Sequence, residues 1–259
     1  MKVIKIGGNI IDDSVKLDSF LKDFATLEGA KILVHGGGKI ASEIGRKLDI
    51  EPKMFQGRRI TDEATLDLVT MVYAGLINKN IVAALQSFNC NAIGLSGADA
   101  NILTAAKRPV KEVDFGFVGD LNNNSVNLKS LQLLLNAGII LVVNPITHDG
   151  NGTLLNTNAD TIASVMAVAL SKIFDVELIY CFEKKGVLEN IEDEHSLIKV
   201  ISNSNYHQLK LDGIIADGMI PKIDNAFDAI RNGVKKVRIM DAMELKSLNK
   251  GESVGTEIV

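Results

Sequence analysis

Lys31-Ile-Leu-Val-His-Gly-Gly-Gly-Lys39 decides the fold. Ile32, Leu33 and Val34 form an apolar strand that runs straight into Gly36, Gly37 and Gly38, and helical spacing begins at Ile40. Consecutive glycines leave backbone N–H groups uncovered by any Cβ. The following helix adds its own unpaired donors and the positive end of its dipole. The corner suits an anion. A ligand-free strand-to-helix turn would read the same, so the rest of the chain has to choose.

Outward from this corner, strand-like runs at 3–6, 91–95, 139–143, 177–181 and 237–240 alternate with helical patterns at 14–27, 40–48, 61–88, 128–135, 161–174 and 204–211, and with a helix entered at Pro221. Short apolar strands separated by helices predict an α/β fold with an open, largely parallel sheet sandwiched by helices. Ile40, Ile44 and Leu48 are expected on one face of their helix, Thr61 as the cap of the next, and Gly138 and Gly233 as helix stops. Residues 102–127, with Asp114-Phe-Gly-Phe-Val-Gly-Asp120, predict a β-hairpin lid region over one end of the sheet. Helix 61–88 is apolar nearly all round in its middle (Leu66, Val69, Val72, Tyr73, Ile77). This predicts packing on its own sheet and against a second subunit, with full burial inside one chain as the competing view. A weak boundary near 170–175 separates domain 1–172 from domain 173–259.

Composition narrows the function. A chain of 259 residues with 46% hydrophobic and 23% charged residues can bury a full core. The net charge of −4, without a Lys/Arg-dense stretch, argues against a nucleic-acid face but leaves small anions open. Two cysteines, Cys90 and Cys181, without a CxxC or Cys/His cluster, fit a reducing compartment and no zinc site. The N-terminus enters a strand at once, and the uncharged apolar runs fall short of the ~20 residues that cross a bilayer. The expectation is a cytoplasmic protein with no membrane partner.

Four features stand where strands of such a sheet end, which is where open α/β folds bind ligands. They are Lys5-Ile-Gly-Gly8, Gly36-Gly-Gly38, Asn156-Thr-Asn-Ala-Asp160 and Lys222. Each has a bland reading. Lys5 can reach solvent from a sheet edge, Lys222 can be a first-turn helix residue, and Asn156 and Asp160 can serve turns and caps. His35 reads as a hydrogen-bonded structural histidine rather than a base. Asp114-Phe-Gly116 matches a kinase magnesium motif by chance, since no partner motif accompanies it.

Taken in order, Lys5-Ile-Gly-Gly8, Val34-His-Gly-Gly-Gly-Lys39, Gly57-Arg-Arg-Ile-Thr61, Leu95-Ser-Gly-Ala-Asp99, Gly116-Phe-Val-Gly119, Asn156-Thr-Asn-Ala-Asp160, Asp217-Gly-Met-Ile-Pro-Lys222 and Val254-Gly-Thr256 resemble the amino-acid kinase family over essentially the whole chain. Within it, the resemblance is to the N-acetylglutamate kinases of arginine biosynthesis. It implies ATP-dependent phosphorylation of the γ-carboxylate of an N-acylated glutamate. Lys5 and Lys222 then match two lysines that stabilise the transition state, and Asp160 the aspartate that orients them. Gly37, Gly38, Arg59 and Asn156 match the substrate-binding positions, and Gly7, Gly8, Gly186, Asp217 and Gly218 the ATP-binding ones. Mg²⁺ should arrive with ATP, held mainly by phosphates and water rather than by a protein metal site.

Phe182-Glu-Lys-Lys-Gly186 departs from the family's usual turn, which leaves Lys184 and Lys185 without a role. No helical extension precedes the first strand, which by analogy implies a homodimer without arginine feedback. Three alternatives remain: the same chemistry on N-succinylglutamate or another N-acylated acidic amino acid; a non-catalytic arginine or nucleotide sensor; and a dinucleotide dehydrogenase. Retention of both lysines and Asp160 disfavours the sensor, and the absent G-x-G-x-x-G spacing disfavours the dehydrogenase.

Overall fold

A computed structural model of the chain describes residues 1–190, 192–215 and 219–259. The apolar runs build one eight-stranded sheet from β1 (Lys2–Ile6), β2 (Lys31–His35), β3 (Ala92–Leu95), β4 (Ile140–Val143), β5 (Glu177–Phe182), β6 (Val200–Ile201), β7 (Lys236–Asp241) and β8 (Thr256–Ile258). Their spatial order is β6-β8-β7-β5-β1-β2-β4-β3. The run from β7 to β3 is parallel throughout, and β8 is antiparallel to β7. β6 and β8 escaped the sequence reading because runs of two and three residues carry too little alternation to register. β5 pairs with β1 from Lys2↔Glu177 to Ile6↔Cys181, so the sheet is unbroken across residue 172.

Strand period two assigns the two faces. Val3, Ile32, Val34, Leu141 and Leu178 are fully buried in one core with residues of Leu128–Asn136, Ala159–Leu170 and Ile220–Arg231. Ile4, Ile6, Leu33, Val142 and Ile179 are fully buried in the other, with residues of Ser14–Thr26 and Glu63–Ser87. Burying each such side chain contributes about 1.5–3 kcal/mol, which is why a sheet covered on both sides needs strands without polar alternation. Lys31 is one polar exception, at the start of β2. Its buried ammonium donates to the carbonyls of Phe24, Ala25 and Leu27 at 2.8, 3.0 and 2.6 Å and so closes the C-terminus of Ser14–Thr26.

Several local expectations need correction. Thr61 is not the cap: it is buried and bridges to Gly116, while Asp62 accepts from the Thr65 amide and hydroxyl. In Gly38–Lys47 the buried face is Ala41 and Gly45, and Leu48 is exposed. A Cβ on Gly45 would stand 2.7 Å from the Ile50 carbonyl oxygen, so this helix packs through its smallest residue. The apolar helix 159–170 starts earlier than its apolar run, because Asn158 caps it by accepting from the Thr161 amide at 3.0 Å.

The helix Glu63–Ser87 is continuous but not uniform: Thr70–Ile77 winds as a π-helix between α-helical ends. With 25 residues it is long and apolar enough by composition to cross a membrane, because its few charged residues interrupt the apolar run without ending the helix. A core helix passes the same test, and Leu66, Leu68, Val69, Ile81 and Leu85 lie in the second core. Full burial inside one chain does not hold, since Met71 and Leu76 are 58% and 46% exposed.

Three short hairpins sit beside the sheet: Met54–Phe55 with Arg58–Arg59, Ala106–Lys107 with Gly119–Asp120, and Ile146–His148 with Leu154–Asn156. Single bridges from Thr61 to Gly116 and from Val118 to Asn156 join them.

Candidate active site

A cleft of about 310 Å³ opens where β1 and β2 end, roofed by the three hairpins. Its wall carries Lys5, Gly8, Gly37, Gly38, Arg59, Asn156 and Asp160, seven of the residues singled out from the sequence.

The face alternation of β1 explains Lys5. It shares the side of Val3, which is covered by Ala159–Leu170, and so emerges beneath that helix's first turn. There it meets Asp160, with Nζ 2.7 Å from Oδ1. Asp160 sits in the first turn, where the helix dipole favours a carboxylate. Lys5 is 8% exposed, and a lysine that deep needs an anionic partner.

Lys222 reaches the same locality from the start of Ile220–Arg231. Its ammonium lies 3.9 Å from the centroid of the Phe182 ring, and Lys5 lies 5.1 Å from that same centroid. Burial pushes the Lys222 pKa down; Asp160 opposes this, and Lys5 adds to it. Two cations therefore share a ring at the end of β5, with the Asp160 carboxylate paired to one of them, a net positive arrangement adjoining the glycine corner.

That corner has strict steric demands. Gly37 has φ +143°, and a Cβ there would collide with Ile77 and lie 3.3 Å from the Tyr73 ring. Both residues belong to the π-helical stretch, so that stretch shapes the loop. His35 beneath it is fully buried, its Nδ1 bonded to the Gly36 carbonyl at 2.8 Å. The Asn78 amide donates to its Nε2 at 3.0 Å and to the Val142 carbonyl at 3.0 Å. An amide nitrogen can only donate, so Nδ1 carries the proton. Burial holds the His35 pKa down at about 4, which makes it a neutral support and not a base.

Arg59 crosses the cleft and donates to the Gly38 carbonyl at 2.8 Å and the Ser42 hydroxyl at 2.7 Å. Both acceptors are neutral, and among the described residues no carboxylate pairs with it. Asn156 donates to Thr61 Oγ1 at 3.0 Å.

Other predicted residues fall elsewhere. Gly7 and Gly186 are not on the cleft wall. The Gly7 amide is bonded to the Cys181 carbonyl at 3.0 Å. Gly186 packs beneath Thr256, where a Cβ would stand 2.6 Å from Oγ1. Asp217 and Gly218 lie outside the described residues. Lys185 pairs with Glu194 at 3.2 Å. Asp114 accepts from the Gly116 amide at 2.8 Å, making Asp114-Phe-Gly116 a turn. The sequence reading missed Arg58, Tyr73, Arg108 and Asp120 on the wall. Tyr73 was read only as a packing residue, and the Arg108–Asp120 pair had a visible signal in opposite charges flanking a predicted hairpin.

Comparison with known proteins places the chain among relatives. The model of the Amino acid kinase family matches residues 1–241. The acetylglutamate kinase of Cytophaga hutchinsonii is 59% identical over 259 residues, covering 99% of this chain and 97% of its own. That of Methanopyrus kandleri is 39% identical, covering 92% and 94%. Among solved structures, N-acetylglutamate synthase from Neisseria gonorrhoeae superposes with a TM-score of 0.79 at 21% identity. The whole of this chain spans 61% of that one. Carbamate kinase from Giardia lamblia superposes at 0.68 with 16% identity, covering 100% and 97%. The structural likenesses speak for the fold; the family match and the curated relatives carry the assignment. On this evidence the chain belongs to the amino acid kinase family.

Proposed function

We propose that this protein transfers the γ-phosphoryl group of ATP to the γ-carboxylate of N-acetyl-L-glutamate, giving the acyl phosphate that serves arginine biosynthesis. The observation that carries this is the Lys5–Asp160 pair and Lys222 around one aromatic ring, next to a glycine corner at the strand ends. The relatives named acetylglutamate kinase, matched over nearly their full length, supply the substrate.

A glutamate side chain has a pKa near ~4.3, so the nucleophile is ionised at neutral pH and needs no base. The barrier is one anion meeting another. Catalysis then consists of positioning and of fixed positive charge around the moving phosphoryl group. Lys5 and Lys222 supply that charge. Asp160 holds Lys5 and, being an anion itself, organises the lysines rather than handling a proton. Gly37 and Gly38 face the acceptor, Arg59 takes the α-carboxylate through its planar fork, and Asn156 holds the acylamino backbone. Gly7, Gly8 and Gly186 belong to the nucleotide side.

Mg²⁺ accompanies ATP. The ion is held through phosphates and water. The chain divides into an acceptor and dimerisation domain, 1–172, and a nucleotide domain, 173–259. Closure of one on the other shields the hydrolysable product from water. The protein works in the cytoplasm as a homodimer.

An ATP-dependent hydroxamate assay with N-acetylglutamate tests the reading. Trapped hydroxamate is the expected result. Folded enzyme that yields none with any N-acylglutamate would defeat it.

A further inference from the structure

Phe182 opens the stretch Phe182-Glu-Lys-Lys-Gly186, which departs from the family's usual turn, and the transfer chemistry above assigns its ring no task. Strand alternation puts Leu178, Tyr180 and Phe182 of β5 against the same core as Val3 of β1. Lys5 lies opposite Tyr180 in the β1–β5 register. The next side chain of β5 on that face, Phe182, therefore stands just beyond the lysine, toward the strand ends.

The ring is held from two directions. Tyr180 stacks beside it, with centroids 6.4 Å apart and planes 15° from parallel. Gly7 approaches it from the end of β1, where a Cβ would stand 3.3 Å from Phe182 Cδ1 and 3.5 Å from the Cys181 carbonyl oxygen. The ring leaves little room for a side chain at position 7, which gives glycine there a steric reason.

Both lysines stand over this ring, Lys222 Nζ at 3.9 Å and Lys5 Nζ at 5.1 Å from its centroid. Both distances lie inside the ~6 Å over which the negative face of an aromatic ring attracts an ammonium. The two cations are nonetheless held differently. Lys5 has the Asp160 carboxylate at 2.7 Å. Among the described residues Lys222 forms no ion pair, and the ring is what its ammonium rests on. A carboxylate partner would cancel the charge and take up a donor. A ring does neither: it attracts the ammonium through its quadrupole and leaves the three N–H donors for phosphate oxygens. It also opposes the two effects that drive Lys222 toward neutrality, burial and the charge of Lys5 from β1, alongside Asp160 from the first turn of Ala159–Leu170.

We infer that Phe182 is a positioning residue for phosphoryl transfer, its ring holding the Lys222 and Lys5 ammonium groups in place, charged and free to bond the moving phosphoryl group. This rests on the kinase reading above and adds to it a side chain that acts through two others.

Phe182→Leu and Phe182→Met keep apolar bulk and discard the π face, whereas Phe182→Tyr keeps it. In steady-state kinetics with ATP and N-acetylglutamate, the Leu and Met variants should lose about tenfold in kcat with acylglutamate KM little changed, and Phe182→Tyr should recover most of that loss. Trace acetylation with acetic anhydride, followed by mass spectrometry of the Lys222 peptide across a range of pH, reads the Lys222 pKa without turnover. That pKa should fall by roughly half a unit to one unit in the Leu and Met variants and stay at the wild-type value in Phe182→Tyr. A ring that only filled space would leave it where it is. Equal losses of kcat in all three variants, or an unchanged Lys222 pKa in the Leu and Met variants, overturn the inference. No turnover of any acylglutamate by the wild type defeats the kinase reading instead, and the labelling still decides the hold of the ring on Lys222.

Discussion

Lys222 shows how much one side chain is asked to do. Its ammonium rests on the Phe182 ring with Lys5 across the same face of the site, and burial already disfavours its charge. A cation kept charged against that cost is useful where negative charge develops. Lys222→Ala should lower kcat by about 10²–10³-fold, the effect of losing one preorganised donor, with N-acetylglutamate KM little changed. Steady-state kinetics check this, and a change confined to KM would move Lys222 out of the transfer step. His35 makes a different prediction, for stability. Its folded pKa of about 4 lies below the unfolded value of ~6.5, so between these the unfolded chain binds more protons. The sign follows: stability is complete above pH 6.5 and falls as pH drops toward 4, by about 1.4 kcal/mol per unit at most. In His35→Gln, which cannot titrate, urea-derived stability should vary less steeply with pH across that window. Parallel slopes for the two proteins would show that His35 is not the titrating group.

At the scale of elements, the information in the sequence was unevenly distributed. The large strands were legible because strands covered on both faces are largely apolar, and Val3, Ile4, Ile32 and Leu33 declare this directly. Lys5, Asp160 and the glycine corner were legible for the opposite reason: they break local rules, and such breaks gather where strands end. The π-helical turn Thr70–Ile77 left no trace, because apolar residues all round give no periodicity from which to measure a turn. Arg58 was hidden because its place on the cleft wall depends on the hairpins meeting, which no local pattern records. Thr61 was misread as a cap because Thr and Asp are both good caps, and the hairpin contact at Gly116 took Thr61 inward. Asp62→Ala therefore tests the boundary. Losing its bonds to the Thr65 amide and hydroxyl should cost about 1 kcal/mol, a fall of roughly 2–4 °C in Tm for a chain of this size. Thr61→Ser, which keeps the backbone bridge, should cost less. The reverse ranking in differential scanning calorimetry would restore Thr61 as the cap.

For the whole molecule, the helix Glu63–Ser87 ties the proposed homodimer to the glycine corner. One side of its π-helical stretch, through Tyr73 and Ile77, shapes the glycine corner. The other side presents Met71 at 58% and Leu76 at 46% exposure, with exposed Gly75 between them in the sequence. Leaving Met and Leu side chains in water forgoes roughly 1.5–3 kcal/mol each, and a flat glycine beside them lets another backbone approach closely. Such a face is best covered by its own copy across a two-fold axis, since a self-complementary patch closes on itself and stops at two chains. The protein should therefore sediment at about twice its chain mass of 27.9 kDa. Met71→Asp combined with Leu76→Asp, which places four like charges in a symmetric interface, should give a single-chain species at micromolar concentration. Because the same turns press on Gly37, that monomer should also show a raised KM for the acyl substrate while Lys222 chemistry persists. Sedimentation velocity and kinetics on one preparation decide the matter. A wild-type protein that runs as a single chain at 100 µM would leave the exposed pair without this role, and a monomeric variant with unchanged KM would separate assembly from the corner.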